Sequence, residues 1–159
     1  MEIEELVNES LVPIHEIEEN LYLGNKTAAE DLNLLQEVGI QCIVQCLESK
    51  KLSKIYPKFD YYFVPLTDLT SANLSKHTPG AIKFIHENRK HGKKVLVHCA
   101  AGISRSASII ISYIMAEYQI SFERALLVVK NKRNCVNPNF GFRFQLKNFD
   151  PHNLAKFLN

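Results

Sequence analysis

The apolar positions of the chain fall into short runs separated by helical stripes. Leu21-Tyr22-Leu23-Gly24 reads as a short strand, Ile40-Gln41-Cys42-Ile43-Val44-Gln45-Cys46-Leu47 as a buried one, and Tyr61-Tyr62-Phe63-Val64 as a third. Lys94 leads into the unbroken apolar run Val95-Leu96-Val97, which lies between helical patterns and so predicts a central place in a parallel sheet. Elsewhere the spacing changes to that of helices. Asn25 or Thr27 can cap a helix through Leu32, Leu34, Leu35 and Val38, with Gly39 at its end. Ala81, Ile82, Phe84 and Ile85 mark another, with Pro79 in or just before its first turn. Ile109, Ile110, Ile111, Ile114 and Met115 form the core face of a third, and Ser121 caps a fourth over 122–132. Asn137-Pro138-Asn139 opens a last helical stretch that Pro151 interrupts. Strands alternating with helices predict an α/β layered fold with a mostly parallel sheet.

No repeat, low-complexity tract or Gly/Ser linker divides the chain, so residues 14–159 are expected to form one domain. Residues 1–13 read as an acidic N-terminal arm or a short amphipathic helix carrying Ile3, Leu6, Val7 and Leu11. At 159 residues, 46% of them apolar, the chain can bury one sizeable core. No run approaches the roughly 18 apolar residues of a membrane span. The start, Met-Glu-Ile-Glu-Glu, lacks the basic and then apolar pattern of a secretory signal, and Glu2 stands where myristoylation requires Gly. Four scattered cysteines (Cys42, Cys46, Cys99, Cys135) are too few for a disulfide framework. A reducing compartment is therefore expected: the cytoplasm or nucleus.

Charge alters this picture. The formal net charge is only +2, yet residues 1–20 hold seven glutamates and no Lys or Arg. The remainder, 21–159, carries 19 basic against 10 acidic residues, a charge of +9 suited to anionic ligands. Nucleic acid is not the expected ligand, because the chain has no zinc-finger spacing, RNP-like aromatic motif or Lys/Arg-dense helix.

The candidate chemistry lies in His98-Cys99-Ala100-Ala101-Gly102-Ile103-Ser104-Arg105-Ser106, where the apolar run 95–97 leaves the sheet and a helix begins. Open α/β sheets place ligands at such a point. A tight loop entering a helix turns successive backbone N–H groups toward one concavity, and the helix dipole adds positive potential. Gly102 permits a positive φ or close approach of a ligand. Arg105 can fold back and offer its planar fork to two phosphate oxygens. Such surroundings favour the ionised form of a thiol at the base, which could then attack phosphorus in line. Ser106 can hydrogen-bond the sulfur as it leaves again, and His98 reads as a structural partner of the loop. The bare spacing is weak: with five Arg in the chain, one falls six places after a given Cys about 3% of the time. His98, Gly102, Ser106 and the strand–loop–helix context make it specific.

This stretch resembles the H-C-x-x-G-x-x-R-[ST] signature of cysteine-dependent protein phosphatases and is close to its dual-specificity form, of the small atypical type. The resemblance runs from about Ile14 to Phe149. Asn20-Leu21-Tyr22-Leu23-Gly24 is similar to the family's opening strand, Pro65-Leu66-Thr67-Asp68 to the segment carrying its general acid, and Asn137-Pro138-Asn139-Phe140-Gly141-Phe142 to the motif after its phosphate loop. It implies a three-layer α/β/α sandwich around a mostly parallel five-stranded sheet, no metal, no cofactor, and a phosphocysteine intermediate. Carried over residue by residue, it makes Cys99 the nucleophile and gives Ala100, Ala101, Gly102, Ile103, Ser104 and Arg105 to the phosphate. Asn139 is either a brace for the phosphate loop or a helix cap.

A phenolate or alkoxide leaving group needs a proton, and the same residue can then deprotonate the hydrolytic water. Asp68, in a polar loop 31 residues before Cys99, is the candidate. Asp31, Asp60 and Asp150 lie in helical patterns or at a strand start. A chain this short has no room for the loop that deepens the pocket of tyrosine-specific relatives, so phosphoserine and phosphothreonine are expected substrates beside phosphotyrosine. Phosphorylated proteins, kinases among them, are the expected partners. The alternatives are a phosphoinositide phosphatase, an RNA 5′-phosphatase and a non-catalytic phosphopeptide-binding module. Relatives acting on phosphoinositides place Lys inside the loop, where this chain has Ala100, Ala101, Ile103 and Ser104. Of the other cysteines, Cys42 and Cys46 share one strand face with Ile40 and Val44, and Cys135 lies in a connection, with a free thiol or partial exposure as the alternatives. Phe140, Phe142, Phe144 and Phe149 read as core or pocket wall.

Overall fold

The computed structural model describes residues 12–159; the expected arm or helix at 1–13 lies almost wholly outside the described residues. Five strands form one mixed sheet: β1 (Ile14–Glu18), β2 (Leu21–Gly24), β3 (Ile40–Gln45), β4 (Asp60–Phe63) and β5 (Lys94–His98), in the order β1-β2-β5-β3-β4. β1 runs antiparallel to β2, and the other pairings are parallel. β5 is central, as its unbroken apolar run requires, with Val95, Leu96 and Val97 all fully buried.

Among the described residues, seven helices cover the sheet: α1 (Lys26–Glu30), α2 (Leu32–Val38), α3 (Thr78–Lys90), α4 (Arg105–Tyr118), α5 (Phe122–Lys132), α6 (Phe140–Asn148) and α7 (Pro151–Ala155). On one face α1 and α2 close a small core around Leu35, Ile43, Phe59 and Leu96. On the other, α3 to α7 build the main core around α4, whose Ala107, Ile109, Ile110, Ile111 and Ile114 are fully buried. The result is an α/β/α sandwich.

Three local readings need correction. The single helix expected from Asn25 to Val38 is two. Asp31 takes extended angles (φ −91°, ψ 92°), ends α1, and accepts the Leu34 N–H to cap α2. Asn25 caps α1 through Ala28, and Gly39 closes α2 at φ +89°. Ile40 does not share the Cys42 face: a register shift between Ile40 and Cys42 against β5 leaves Gln41 exposed and sends Ile40 to the small core. Cys135 is buried rather than partly exposed.

β1 has no counterpart among the strands read from the pattern. Its apolar residues serve opposite faces, Ile17 the main core and Ile14 the small one, so no alternation marks it. Two of the seven N-terminal glutamates, Glu16 and Glu18, belong to it. Arg89 of α3 donates to Glu18 (2.7 Å), to Glu117 of α4 (3.2 Å) and to the Tyr113 hydroxyl (3.0 Å), tying β1 to both helices. Burial and the Glu18 carboxylate raise Glu117 to about 8, against the opposing pull of Arg89.

Candidate active site

β5 ends at His98 and α4 begins at Arg105, so residues 99–104 form the loop between them. Every carbonyl from His98 to Ser104 is held from outside the loop. The Cys46 N–H donates to the His98 oxygen (2.8 Å), His98 Nδ1–H to the Cys99 oxygen (3.2 Å), and the Lys26 N–H to the Ala100 oxygen (3.0 Å). Arg133 donates to the oxygens of Ala101 (3.1 Å) and Gly102 (2.9 Å). The Asn137 N–H takes the Ile103 oxygen (2.8 Å), and the Ser108 N–H and hydroxyl take that of Ser104. In a trans peptide the N–H points opposite to the carbonyl. Tying these carbonyls outward therefore turns the following N–H groups toward the space above Cys99.

The sulfur lies at the floor of this cradle. Cys99 is buried, the Gly102 N–H donates to its Sγ (3.3 Å), and the Ser106 Oγ lies 3.1 Å from it. Gly102 has φ +69°, and a Cβ there would fall 2.7 Å from the Gly24 carbonyl oxygen, so only glycine lets the loop pass beside β2. Arg105 is buried along one wall. Its Nη1 donates to Glu48 (2.9 Å) and to the Leu66 oxygen (3.3 Å), while its Nε is buried without a hydrogen-bond partner. That leaves the Nε edge of the fork for an anion over Cys99.

The cleft above the loop encloses about 590 Å³ and is bordered by Asp68, Asn137, Asn139, Phe140 and Arg143. Asp68 is exposed at its mouth, and Asn139 Nδ2 donates to Asp68 Oδ1 (2.9 Å). Asn139 does more than either sequence reading allowed. Its Oδ1 caps α6 through the Phe142 N–H (2.9 Å), and its own N–H donates to the Ser104 Oγ (2.9 Å). It thus joins the loop, the carboxylate and a helix start.

His98 is buried in apolar surroundings, which lowers it to about 4; the Cys99 carbonyl opposes this and Arg105 adds to it. With Nδ1–H donating, Nε2 is bare and has no partner. The ring is neutral and cannot carry protons near pH 7. The sign of the linkage follows. An unfolded His takes up a proton near 6.5, the folded one only near 4, so stability present above pH 6.5 is lost as pH falls from 6.5 to 4, by about 3 kcal/mol. Denaturant titrations between pH 7 and 4 are expected to show this slope, and His98→Asn to flatten it. An equal slope in both proteins would contradict the assignment.

Two residues of the site carry no signal in the pattern. Arg133 is fully buried at the end of α5, and Glu48, just beyond β3, braces Arg105. A polar residue at a helix end is ordinarily solvated, so only the tertiary contacts reveal Arg133. Among the cysteines, Cys46 is the neighbour of Cys99: Val44 pairs with Val97 and Gln45 with His98, so Cys46 stands next in register. Burial pushes the Cys46 thiol well up, and Cys99 beside it adds to the rise. Cys42, four strand positions away in β3, lies farther from the site. Among the described residues, no cluster of three His, Cys, Asp or Glu is placed to hold a metal ion, and no helix is long and apolar enough to cross a membrane.

A mostly parallel α/β sheet that delivers a thiol to the floor of an N–H cradle, with an arginine at the wall and a carboxylate at the mouth, defines the class of cysteine-dependent phosphatases. Comparison with known proteins narrows it. The family model described as "Dual specificity phosphatase, catalytic domain" matches residues 21–151. The chain is 38% identical over 137 residues to human dual specificity protein phosphatase 22, covering 86% of this chain and 73% of that protein. It is 38% identical over 143 residues to a probable rhodanese domain-containing dual specificity protein phosphatase of Dictyostelium discoideum, covering 89% of this chain but only 30% of that longer one. The crystal structure of DUSP15 superposes with a TM-score of 0.86 at 34% identity, over 92% of each chain. The chain belongs to the dual specificity phosphatase family and carries its catalytic domain, a hydrolase of protein phosphate esters.

Proposed function

We propose that the protein hydrolyses phosphotyrosine and phosphoserine or phosphothreonine in proteins through a phosphocysteine intermediate on Cys99. The observation that carries this reading is the ring of outward-tied carbonyls around a buried thiol. It presents N–H groups to the three non-bridging oxygens of a phosphate without any movement of the chain, which is the preorganised stabilisation that phosphoryl transfer needs. The thiolate of Cys99 attacks phosphorus, and the S–P bond forms as the P–O bond to the leaving group breaks. Asp68 gives its proton to the departing oxygen. Asp68 then takes a proton from water, whose oxygen displaces the sulfur, and inorganic phosphate leaves. The Ser106 hydroxyl stabilises the sulfur as it departs, and Arg105 spans two phosphate oxygens at each step. A reducing compartment such as the cytoplasm keeps Cys99 competent for this cycle.

Membership of the dual specificity family supports action on both kinds of ester, and the cleft over Cys99 opens at a mouth where Asp68 and Phe140 are exposed. Matched phosphotyrosine, phosphothreonine and phosphoinositide substrates test it, with Cys99→Ser as control. Both phosphopeptides are expected to be cleared. Turnover of the lipid alone would reassign the substrate.

The role of Asp68 has its own test. Asp68→Asn keeps the hydrogen-bonding partner of Asn139 but removes the proton. Its rate on a phosphopeptide is expected to fall about 10²-fold or more, against a much smaller loss on p-nitrophenyl phosphate, whose leaving group needs little protonation. Equal losses on the two substrates would place the acid elsewhere.

A further inference from the structure

The phenylalanines around α6 have different fates. Phe142 is fully buried and Phe149 packs against the main core, whereas Phe140 is 78% and Phe144 64% exposed. Four residues apart on one helix, Phe140 and Phe144 share a face. Phe140 borders the cleft above Cys99, so that face begins at the mouth and leads away from it. Leu69, 60% exposed, stands at the same edge. Asp68 before it is held by Asn139, and the backbone of Thr70 after it lies so close to Gly141 that a Cβ there would fall 1.9 Å from the Thr70 oxygen.

The geometry points to a second recognition element: Phe140, Phe144 and Leu69 form a platform for an apolar or aromatic side chain of the substrate polypeptide, a few residues from the phosphorylated one. This rests on reading the Cys99 cleft as a phosphoprotein site. Continuity with that cleft fixes the occupant. A phosphate ester seated over Cys99 enters past Phe140, so the polypeptide bearing it runs over this rim. A bound extended chain advances about 3.3 Å per residue, and the Cβ atoms of Phe140 and Phe144 lie about 5–6 Å apart, so the platform matches roughly two residues of substrate. Arg143, the cationic group on this rim, is already engaged by Asn137 Oδ1 (2.6 Å) and the Pro138 oxygen (3.0 Å). Phe140, Phe144 and Leu69 are the large apolar side chains that stand in solvent beside it. Nothing in the chemistry of phosphoryl transfer requires them.

The test is a set of phosphopeptides in which Phe or Leu is walked from three residues before the phosphoresidue to three after it, in a serine background. At one position or more, wild-type kcat/KM is expected to rise about fivefold or more over serine, chiefly through KM. In the double variant Phe140→Ser, Phe144→Ser that preference is expected to fall below about twofold. These are exposed positions, where serine leaves the core untouched. Hydrolysis of the whole set without any apolar preference, or full preference in the double variant, overturns the platform while leaving the phosphatase reading intact. Failure to hydrolyse any phosphopeptide overturns both. Sedimentation supplies the remaining outcome: a wild-type dimer that dissociates in the double variant assigns the patch to a second copy and overturns the proposal.

Discussion

Cys99→Ser is expected to reduce turnover by on the order of 10⁴-fold or more while phosphate still binds. The serine hydroxyl occupies the place of the thiol but stays protonated near neutral pH, and among the described residues no general base hydrogen-bonds that position. Ser106, the polar neighbour at 3.1 Å, is another hydroxyl, and His98 faces the carbonyl side of the loop with its donating nitrogen already used. The cradle itself does not depend on the sulfur. The carbonyls from His98 to Ser104 are held by Cys46, Lys26, Arg133, Asn137 and Ser108 and by the ring of His98, none of which changes. Calorimetric titration of the variant with inorganic phosphate or tungstate, beside single-turnover kinetics on a phosphopeptide, separates the two effects. Phosphatase activity near the wild-type level would remove Cys99 from the mechanism. Loss of oxyanion binding together with turnover would mean that the sulfur shapes the cradle as well.

Arg133→Met is expected to cost about 3–5 kcal/mol of stability and to lower kcat/KM about 10²-fold, although Arg133 touches no substrate. The guanidinium is fully buried and donates to the oxygens of Gly102 (2.9 Å), Ala101 (3.1 Å) and Val12 (2.7 Å) and to His15 Nδ1 (2.8 Å). Methionine fills the space but withdraws that donor from all four acceptors, a loss that the end of the buried charge offsets in part. A domain of this size has about 5–15 kcal/mol in total, so the loss is a large fraction of it. The kinetic effect has a separate origin. Two of the freed carbonyls belong to the loop, and once released their peptides can rotate, carrying the N–H groups of Gly102 and Ile103 away from the phosphate. Arg133→Lys keeps the charge but cannot reach all the acceptors, and is expected to fall between the two. Denaturant unfolding reads the stability and p-nitrophenyl phosphate kinetics read the cradle. A stable Arg133→Met with undiminished kcat/KM would show that the loop holds its shape without the clamp.

Much of this fold is legible in the sequence. Asn25, Ser121 and Asn139 each cap the helix that follows, Pro79 falls in the first turn of α3, and Gly39 ends α2 with a positive φ, because such signals are local and act through the nearest few peptide groups. Val95-Leu96-Val97 announced the central strand for a similar reason: only a strand covered on both faces has no polar side to show. The break at Asp31 and the shift at Gln41 were hidden, since one residue serving two helices or bulging from a strand leaves the average spacing almost unchanged.

For the site the division is sharper. The stretch from His98 to Ser106 determined by itself where the thiol, the glycine and the arginine stand, because all three lie within nine residues and a strand–loop–helix turn admits few conformations. What makes that loop a cradle was decided elsewhere in the chain. Arg133 at the end of α5, Lys26 from α1 and Asn137 before α6 take loop carbonyls, Cys46 just past β3 takes that of His98, and Glu48, also beyond β3, holds Arg105. Asn139 brings in Asp68 from 71 positions away. Sequence spacing carries information only about groups that the chain itself holds close. The orientation of a peptide plane depends on whichever donor the packed helices and strands bring to its carbonyl, and that is fixed only when the sandwich closes.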